Sequence, residues 1–343
     1  RLIGHSQQAL QDLQSVLRAA PVLAVDAYIA QGVLANDESR FAEAHTHFDQ
    51  ALQQTAQIIE VRRSAAHKGK SWAYCMSSDL DAALREAQLA RYEAERMQGI
   101  ILERSAQYNE ATQLYNAALT LAKELGHQEG IANTANSLSI LRAFQGNFAE
   151  AKALQTQAQE IYQRLGMPGR GCNAQINLAL IHNLSGDHDA ALAVLQNLPA
   201  AAAAHQIIFS PQTVAHINYH TAEAYLGLGD IAQAEHFVTQ ALQIEEEELI
   251  VDCYRVVSEI KLAQGDVAAA ENAVRFTLQI LDGQSPPNLY LCGYCERVLA
   301  RVLIQAGQWE AAKAVIARAI VCFQELELFH EVEKTRRLLD DLG

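Results

Sequence analysis

The feature that most constrains this chain is a turn that keeps coming back. Gly146-Asn147-Phe148, Gly186-Asp187-His188, Gly229-Asp230-Ile231, Gly265-Asp266-Val267 and Gly307-Gln308-Trp309 each precede, by three residues, an alanine: Ala151, Ala191, Ala234, Ala270 and Ala312. Weaker copies open at Ser39, Ser78 and Ala106 and lead to Ala44, Ala83 and Ala111, and Gly4 opens a further one that leads to Ala9. Successive openings are 35, 39, 28, 40, 40, 43, 36 and 42 residues apart. Self-similarity at such a period is the mark of an array in which each unit buries its apolar face only against its neighbours.

A second register runs in step with the first. Seven residues before the turns stand Gly32, Ser71, Gly99, Ser139, Ala179, Ala222, Ser258 and Ala300, all small. Four residues after the alanines come larger side chains in most copies, among them Leu13, Phe48, Tyr115, Leu195, Val238, Val274 and Ile316. An i, i+4 pair lies on one helical face. Small residues at fixed sites let two helices approach closely, where a bulky side chain would hold them apart. Helix-rich usage agrees: Ala, Leu, Gln and Glu dominate, and there are only 6 Pro in 343 residues. These side chains lose little rotamer freedom in a helix.

These positions resemble the tetratricopeptide repeat, whose pattern runs Leu-Gly-x-x-Tyr, then Ala-x-x-x-Phe, then Pro. The resemblance spans nearly the whole chain, with the closing Pro mostly missing and a period nearer 40 than 34 residues. Tails such as Ala122-Lys-Glu-Leu-Gly126 and Ile161-Tyr-Gln-Arg-Leu-Gly166 are similar to the long-repeat subgroup found in bacterial STAND-class signalling ATPases and regulators. The resemblance implies an all-α, right-handed α-solenoid of about eight helix-turn-helix repeats. A partial N-terminal repeat (1–20, with the helix Ser6–Arg18) precedes repeats over 21–328, and a capping helix (329–343) follows. The whole is expected to be one superhelix and a piece of a longer polypeptide.

Several local expectations follow. The 28-residue interval leaves no room for two long helices, so one near Asp79–Arg91, or the next, should be short. Pro199 should bend the chain, with Ala200–Ala204 extending a helix. Met167–Gly171 and Gly283–Asn288 read as loops. In the last helix Val332, Leu338, Leu339 and Leu342 should cover the final repeat, while Arg336, Arg337, Asp340 and Asp341 face water.

In tetratricopeptide arrays the first helix of each repeat lines the concave groove. The turn register then directs Asn133, Asn136 and Ser137 inward from one repeat, and Asn173, Asn177 and Asn183 from the next. His216, Tyr219, His220 and Glu223 follow, then Arg255 and Glu259, then Tyr294, Arg297 and Arg301. Asn carries both a donor and an acceptor, so a ladder of Asn can grip an extended peptide by its backbone. Arg297 and Arg301 could hold a carboxylate. The resemblance implies a protein or peptide segment as ligand, or a small inducer.

Composition limits the alternatives. A net charge of −14 disfavours direct contact with nucleic acid. No apolar run has transmembrane length, no signal peptide opens the chain, and six scattered cysteines suit a reducing, cytoplasmic setting. No nucleophile–base pair or phosphate loop is complete: Gly69-Lys70-Ser71 lacks both the first glycine and a preceding strand. The chain is therefore read as a binding protein, not an enzyme, and no cofactor is implied. Two other readings compete with a peptide-binding sensor or scaffold. One is a structural module that self-associates through its open N-terminal edge. The other is a metal or redox protein using His216/His220 or the pair Cys292-Gly-Tyr-Cys295.

Overall fold

A computed structural model describes residues 24–54, 60–244, 247–284 and 288–340. The partial repeat around Gly4, Ala9 and Leu13 lies outside them, as do Asp341 and Leu342. The described residues form sixteen helices and no strand. In order they are α1 (Ala24–Asp37), α2 (Phe41–Gln54), α3 (Glu60–Met76), α4 (Leu80–Arg104), α5 (Tyr108–Glu124), α6 (Gln128–Phe144), α7 (Phe148–Arg164) and α8 (Pro168–Leu184). Then come α9 (His188–Ala204), α10 (Pro211–Gly227), α11 (Ile231–Ala241), α12 (Glu247–Ala263), α13 (Val267–Asp282), α14 (Leu289–Gln305), α15 (Trp309–Glu325) and α16 (Phe329–Asp340). They make eight helix-turn-helix repeats and a closing helix, the all-α repeat architecture expected.

Every turn in the register reverses the chain in the same way. Gly146, Gly186, Gly229, Gly265 and Gly307 have φ between +71° and +80°, a left-handed conformation that glycine adopts at no steric cost. The amide after each reaches back five residues to close the helix end: Asn147 N donates to Arg142 O at 2.8 Å, Asp187 N to His182 O and Asp230 N to Tyr225 O at 2.9 Å. Ser39, Ser78 and Ala106 hold the same left-handed conformation at φ +59°, +67° and +56°. Each forfeits about 1 kcal/mol relative to glycine there. The weaker copies in the sequence are therefore full turns in the structure.

The small residues sit where the register requires. Ala44, Ala111, Ala151, Ala191, Ala234, Ala270 and Ala312 are fully buried, as are Ser139, Ala179, Ala222, Ser258 and Ala300. The approach is close at Gly32 and Gly99, where an added Cβ would lie 2.6 Å from the Phe48 and Tyr115 rings, and at Gly69 beside the register, where it would lie 2.3 Å from the Phe48 ring. Phe48 and Tyr115 are themselves fully buried, four residues beyond their alanines.

Three local expectations are corrected, and one is met. The short interval contains no shortened helix. Instead α4 runs unbroken for 25 residues and serves as the second helix of one repeat and the first of the next. Its middle, Leu89–Gln98, contains neither Gly nor Pro, so nothing stops propagation. Helix α9 runs through Pro199 to Ala204, so the alanine run extends a helix as expected. Met167–Gly171 is not a loop: α8 starts at Pro168, where a fixed φ and a missing N–H suit a first turn. In α16, Val332 is buried but Leu339 is 40% exposed, so the covering face is narrower than expected.

By its contacts the chain divides into two compact units, Arg1–Ile101 with Glu110–Thr134, and Leu102–Asn109 with Ala135–Gly343. The first is held by a buried ionic seam. Arg63 on α3 bonds Glu93 on α4 at 2.6 Å and Glu129 on α6 at 3.2 Å. Glu86 on α4 takes His67 at 2.6 Å and Lys70 at 3.2 Å, and Lys70 also bonds Asp49 on α2 at 2.7 Å. Lys70, part of the incomplete phosphate-loop motif, is thus an ion-pairing residue inside a helix. In the second unit the earliest and latest segments touch. Tyr108, Phe144 and Tyr290 cluster with ring centroids 4.6–6.3 Å apart, and Phe148 meets His330 edge to face at 6.1 Å.

Candidate functional site

The second unit carries an open-mouthed cavity of about 810 Å³, and its walls come mostly from first helices of repeats: α8, α10, α12 and α14. The register explains this. Positions six, three and two before the small residue, and the one after it, fall on the helix face away from the paired second helix. On α10 these are His216, Tyr219, His220 and Glu223, and all four line the cavity. Asn177, Arg255 and Tyr294 line it too.

Arg255 is the centre of the wall. It is buried, donates to the Tyr219 hydroxyl at 2.7 Å and to Glu259 at 2.9 Å, and pairs with Glu223. Its guanidinium lies 5.8 Å from the Tyr294 ring centroid, and Arg297 stacks on that ring at 4.5 Å. Burial pushes the Glu223 carboxyl up, but Arg255 and then His220 outweigh it and hold it down at about 2. The Glu223–Arg255 pair is thus a fixed internal dipole.

Asp252 differs. It lines the cavity on α12, yet among the described residues it forms no ion pair. Its one hydrogen bond comes from the Tyr219 hydroxyl at 3.4 Å. Burial raises its pKa to about 6; Arg255 opposes the rise and Glu223 adds to it. Sequence reasoning missed Asp252, although it stands six residues before Ser258, where His216 stands before Ala222 and Tyr294 before Ala300. Tyr108, Phe144 and Tyr290 were missed as well, because the turn register does not report contacts between distant repeats.

A second chamber of about 510 Å³ shares Leu184, Glu223, Arg255 and Tyr294 with the first. It adds Glu259, Arg297, Arg301 and Lys334. Arg297 and Arg301 already hold carboxylates of the chain itself. Arg297 pairs with buried Glu331, and Arg301, 46% exposed, bonds Glu259 at 2.7 Å. Glu331 also takes Lys334 at 3.0 Å and His330 at 2.9 Å.

The asparagines are only partly brought together. Asn136 Oδ1 accepts from Asn177 Nδ2 at 3.1 Å and from Gln155 Nε2 at 2.9 Å, so the ladder begins by binding itself. Asn183 donates to the His220 carbonyl at 2.9 Å. Asn173, one turn before Asn177 on α8, is exposed and lies outside the cavity lining. Asn133 is buried and belongs to the first unit.

The alternative chemistries find little support in the geometry. Among the described residues no group of three or more His, Cys, Asp or Glu is placed to hold a metal, so His216 and His220 have no third ligand of that kind. Burial raises the pKa of Cys292 and of Cys295, which works against a nucleophilic thiolate. No helix of the described residues is long and apolar enough to cross a membrane.

Comparison with known proteins points the same way as the fold. Tetratricopeptide-repeat family models match residues 92–164 and 131–198, residues 215–248, and residues 294–318. No curated protein matches the sequence. The solved structures similar in fold include three complexes. The Rap conjugation gene regulator of plasmid pLS20 in complex with the Phr* peptide has a TM-score of 0.58 at 11% identity, over 98% of this chain and 96% of that one. NprR in complex with its cognate peptide NprX gives 0.57 at 13%, over 93% and 99%. A Rap protein complexed with competence and sporulation factor gives 0.56 at 14%, over 93% and 97%. Eight matching turns, buried small residues at both register sites and three family matches agree: the chain is a tetratricopeptide-repeat array.

Proposed function

We propose that the second unit is a peptide-binding sensor or scaffold of a larger signalling or regulatory protein, with its ligand held in the joined chambers. The observation that carries this reading is the cavity itself: about 810 Å³, walled by successive first helices, with Asn177, His220, Asp252 and Arg255 facing one space. Ligand sites are concave, with a few polar groups converging among apolar walls, and here Phe144, Leu180 and Tyr290 supply the apolar part. Two of the structures similar in fold are complexes with peptides, which supports a peptide as ligand. Binding changes the array only if one arrangement of the repeats holds the peptide more tightly than another. The test is titration of short synthetic peptides against the chain and its Asn177→Ala and Arg255→Gln variants. Loss of affinity by tenfold or more in Arg255→Gln, with the fold intact by circular dichroism, is expected. Equal affinity in all three proteins rejects the site.

A further inference from the structure

We infer that the two chambers read the charge and direction of a short peptide: its positive end lies in the larger chamber against Asp252, and its free carboxylate lies in the smaller chamber against Arg301 and Lys334. This rests on the peptide-binding reading above and adds the chemical class and polarity of the ligand.

The argument is a charge balance wall by wall. In the larger chamber Glu223 and Arg255 neutralise each other, and Glu103 and Arg104 are of opposite sign. Asp252 is left in excess. Its only neutral partner is Tyr219, whose hydroxyl is also the acceptor for Arg255. The nearest guanidinium, Arg255, stands behind that shared hydroxyl and is already paired with Glu223 and Glu259. An ionised carboxylate with no ion pair of its own is costly to bury and favours an ammonium or guanidinium that brings its own charge. Tyr108, Tyr290 and Tyr294 line the same chamber, and aromatic faces also attract cations.

The smaller chamber is unbalanced in the other direction. Arg255, Arg297, Arg301 and Lys334 line it against Glu223 and Glu259, and Glu331 behind the wall takes part of the charge of Arg297 and Lys334. One cation remains in excess. Arg301 is its most exposed guanidinium; one arm bonds Glu259 and the others are open to a carboxylate. The chambers meet at Glu223, Arg255 and Tyr294, so a chain crossing from one to the other passes from an acidic wall to a basic one. Only one direction of a peptide with a positive start and a free carboxyl end satisfies both.

The experiment is affinity selection from a randomised hexapeptide library prepared in four forms: both ends free, N-acetylated, C-amidated and doubly blocked. The expected result is retention of the free-ended form, with at least a tenfold loss on amidation. Acetylated peptides are expected to survive only where Lys or Arg lies in the N-terminal half, which separates a terminal ammonium from a side-chain cation as the group at Asp252. Asp252→Asn should erase the N-terminal charge preference and leave the carboxylate preference. Arg301→Gln with Lys334→Gln should do the reverse. Retention with no end preference, or with preferences unchanged in both variants, overturns the polarity while leaving peptide binding standing. Retention of no peptide in any form overturns the peptide-binding reading itself.

Discussion

The two units use one repeat geometry and spend their charges differently. At the position just after the small residue, the first unit carries Val33, Trp72 and Ile100; the second carries Ile140 and Leu180 in its first two repeats and Glu223, Glu259 and Arg301 in its last three. Six residues before the small residue, Glu93 in the first unit is only 2% exposed and bonded to Arg63, whereas Asp252 in the second faces a cavity without an ion pair among the described residues. In the first unit the charges tie helix to helix, and apolar side chains such as Trp72, at 57% exposed, are left outside. In the last three repeats of the second, charges at these positions face the cavities. The same scaffold therefore gives a structural seam in one place and a candidate binding wall in the other.

Arginine substitution tests this contrast with the largest expected effect. Arg63→Ala and Arg255→Ala each strip a cation from two carboxylates and should each cost about 3–5 kcal/mol of unfolding free energy. Chemical denaturation measures both. Only Arg255→Ala should also abolish peptide affinity, and a comparable loss in Arg63→Ala would erase the distinction between the units.

Acid–base behaviour gives the next largest effects, with opposite signs. The Asp252 carboxyl has a folded pKa of about 6, above the unfolded value of about 3.9. Folding therefore favours the protonated form, and a penalty grows from about pH 4 to pH 6 and stays constant above. The charged groups around it are Glu223, His220 and Arg255. Asp252→Asn should stabilise the chain by about 1–3 kcal/mol at pH 7, an advantage that vanishes below about pH 4. A stabilising variant that loses ligand preference is what a strained binding group produces. His127 in the first unit behaves conversely. Burial, helped by Arg63, lowers its folded pKa to about 4 against an unfolded value of about 6.5. Stability should fall as pH drops from about 6.5 to 4, and His127→Gln should flatten that slope in a pH-dependent denaturation series.

Much of the fold could be read in the sequence because its cause is local. The turns require a left-handed residue, and the helix contacts require small ones, at fixed spacings along the chain. That logic placed Ala151 and Ala191, and it placed Tyr219, His220, Glu223 and Arg255 on one wall. It failed where causes are not local. The fusion of α4 depends on the absence of a breaker over Leu89–Gln98, a signal weaker than the spacing of turns. Arg297 already engaged by Glu331 could not be seen, because the partner lies 34 residues away in another repeat. Asp252 stands in the register too, but its distinction is that the nearby Arg255 is committed to other carboxylates, which only the packed structure displays.

The smallest expected effect belongs to the exposed apolar stripe. Trp72→Ala should change stability by no more than about 0.5 kcal/mol, as for surface substitutions away from special features, and should leave peptide affinity alone. A larger loss of affinity would move function toward the first unit.

Hydrogen–deuterium exchange of the full chain, with and without a peptide recovered from the hexapeptide selection, tests the central claim most directly. The account predicts slowed exchange along α8, α10, α12 and α14, centred on Asn177, His220, Asp252 and Tyr294, and none around Val33, Trp72 and Met76. Protection confined to α1 and α3, with α10 and α12 unchanged, would contradict it.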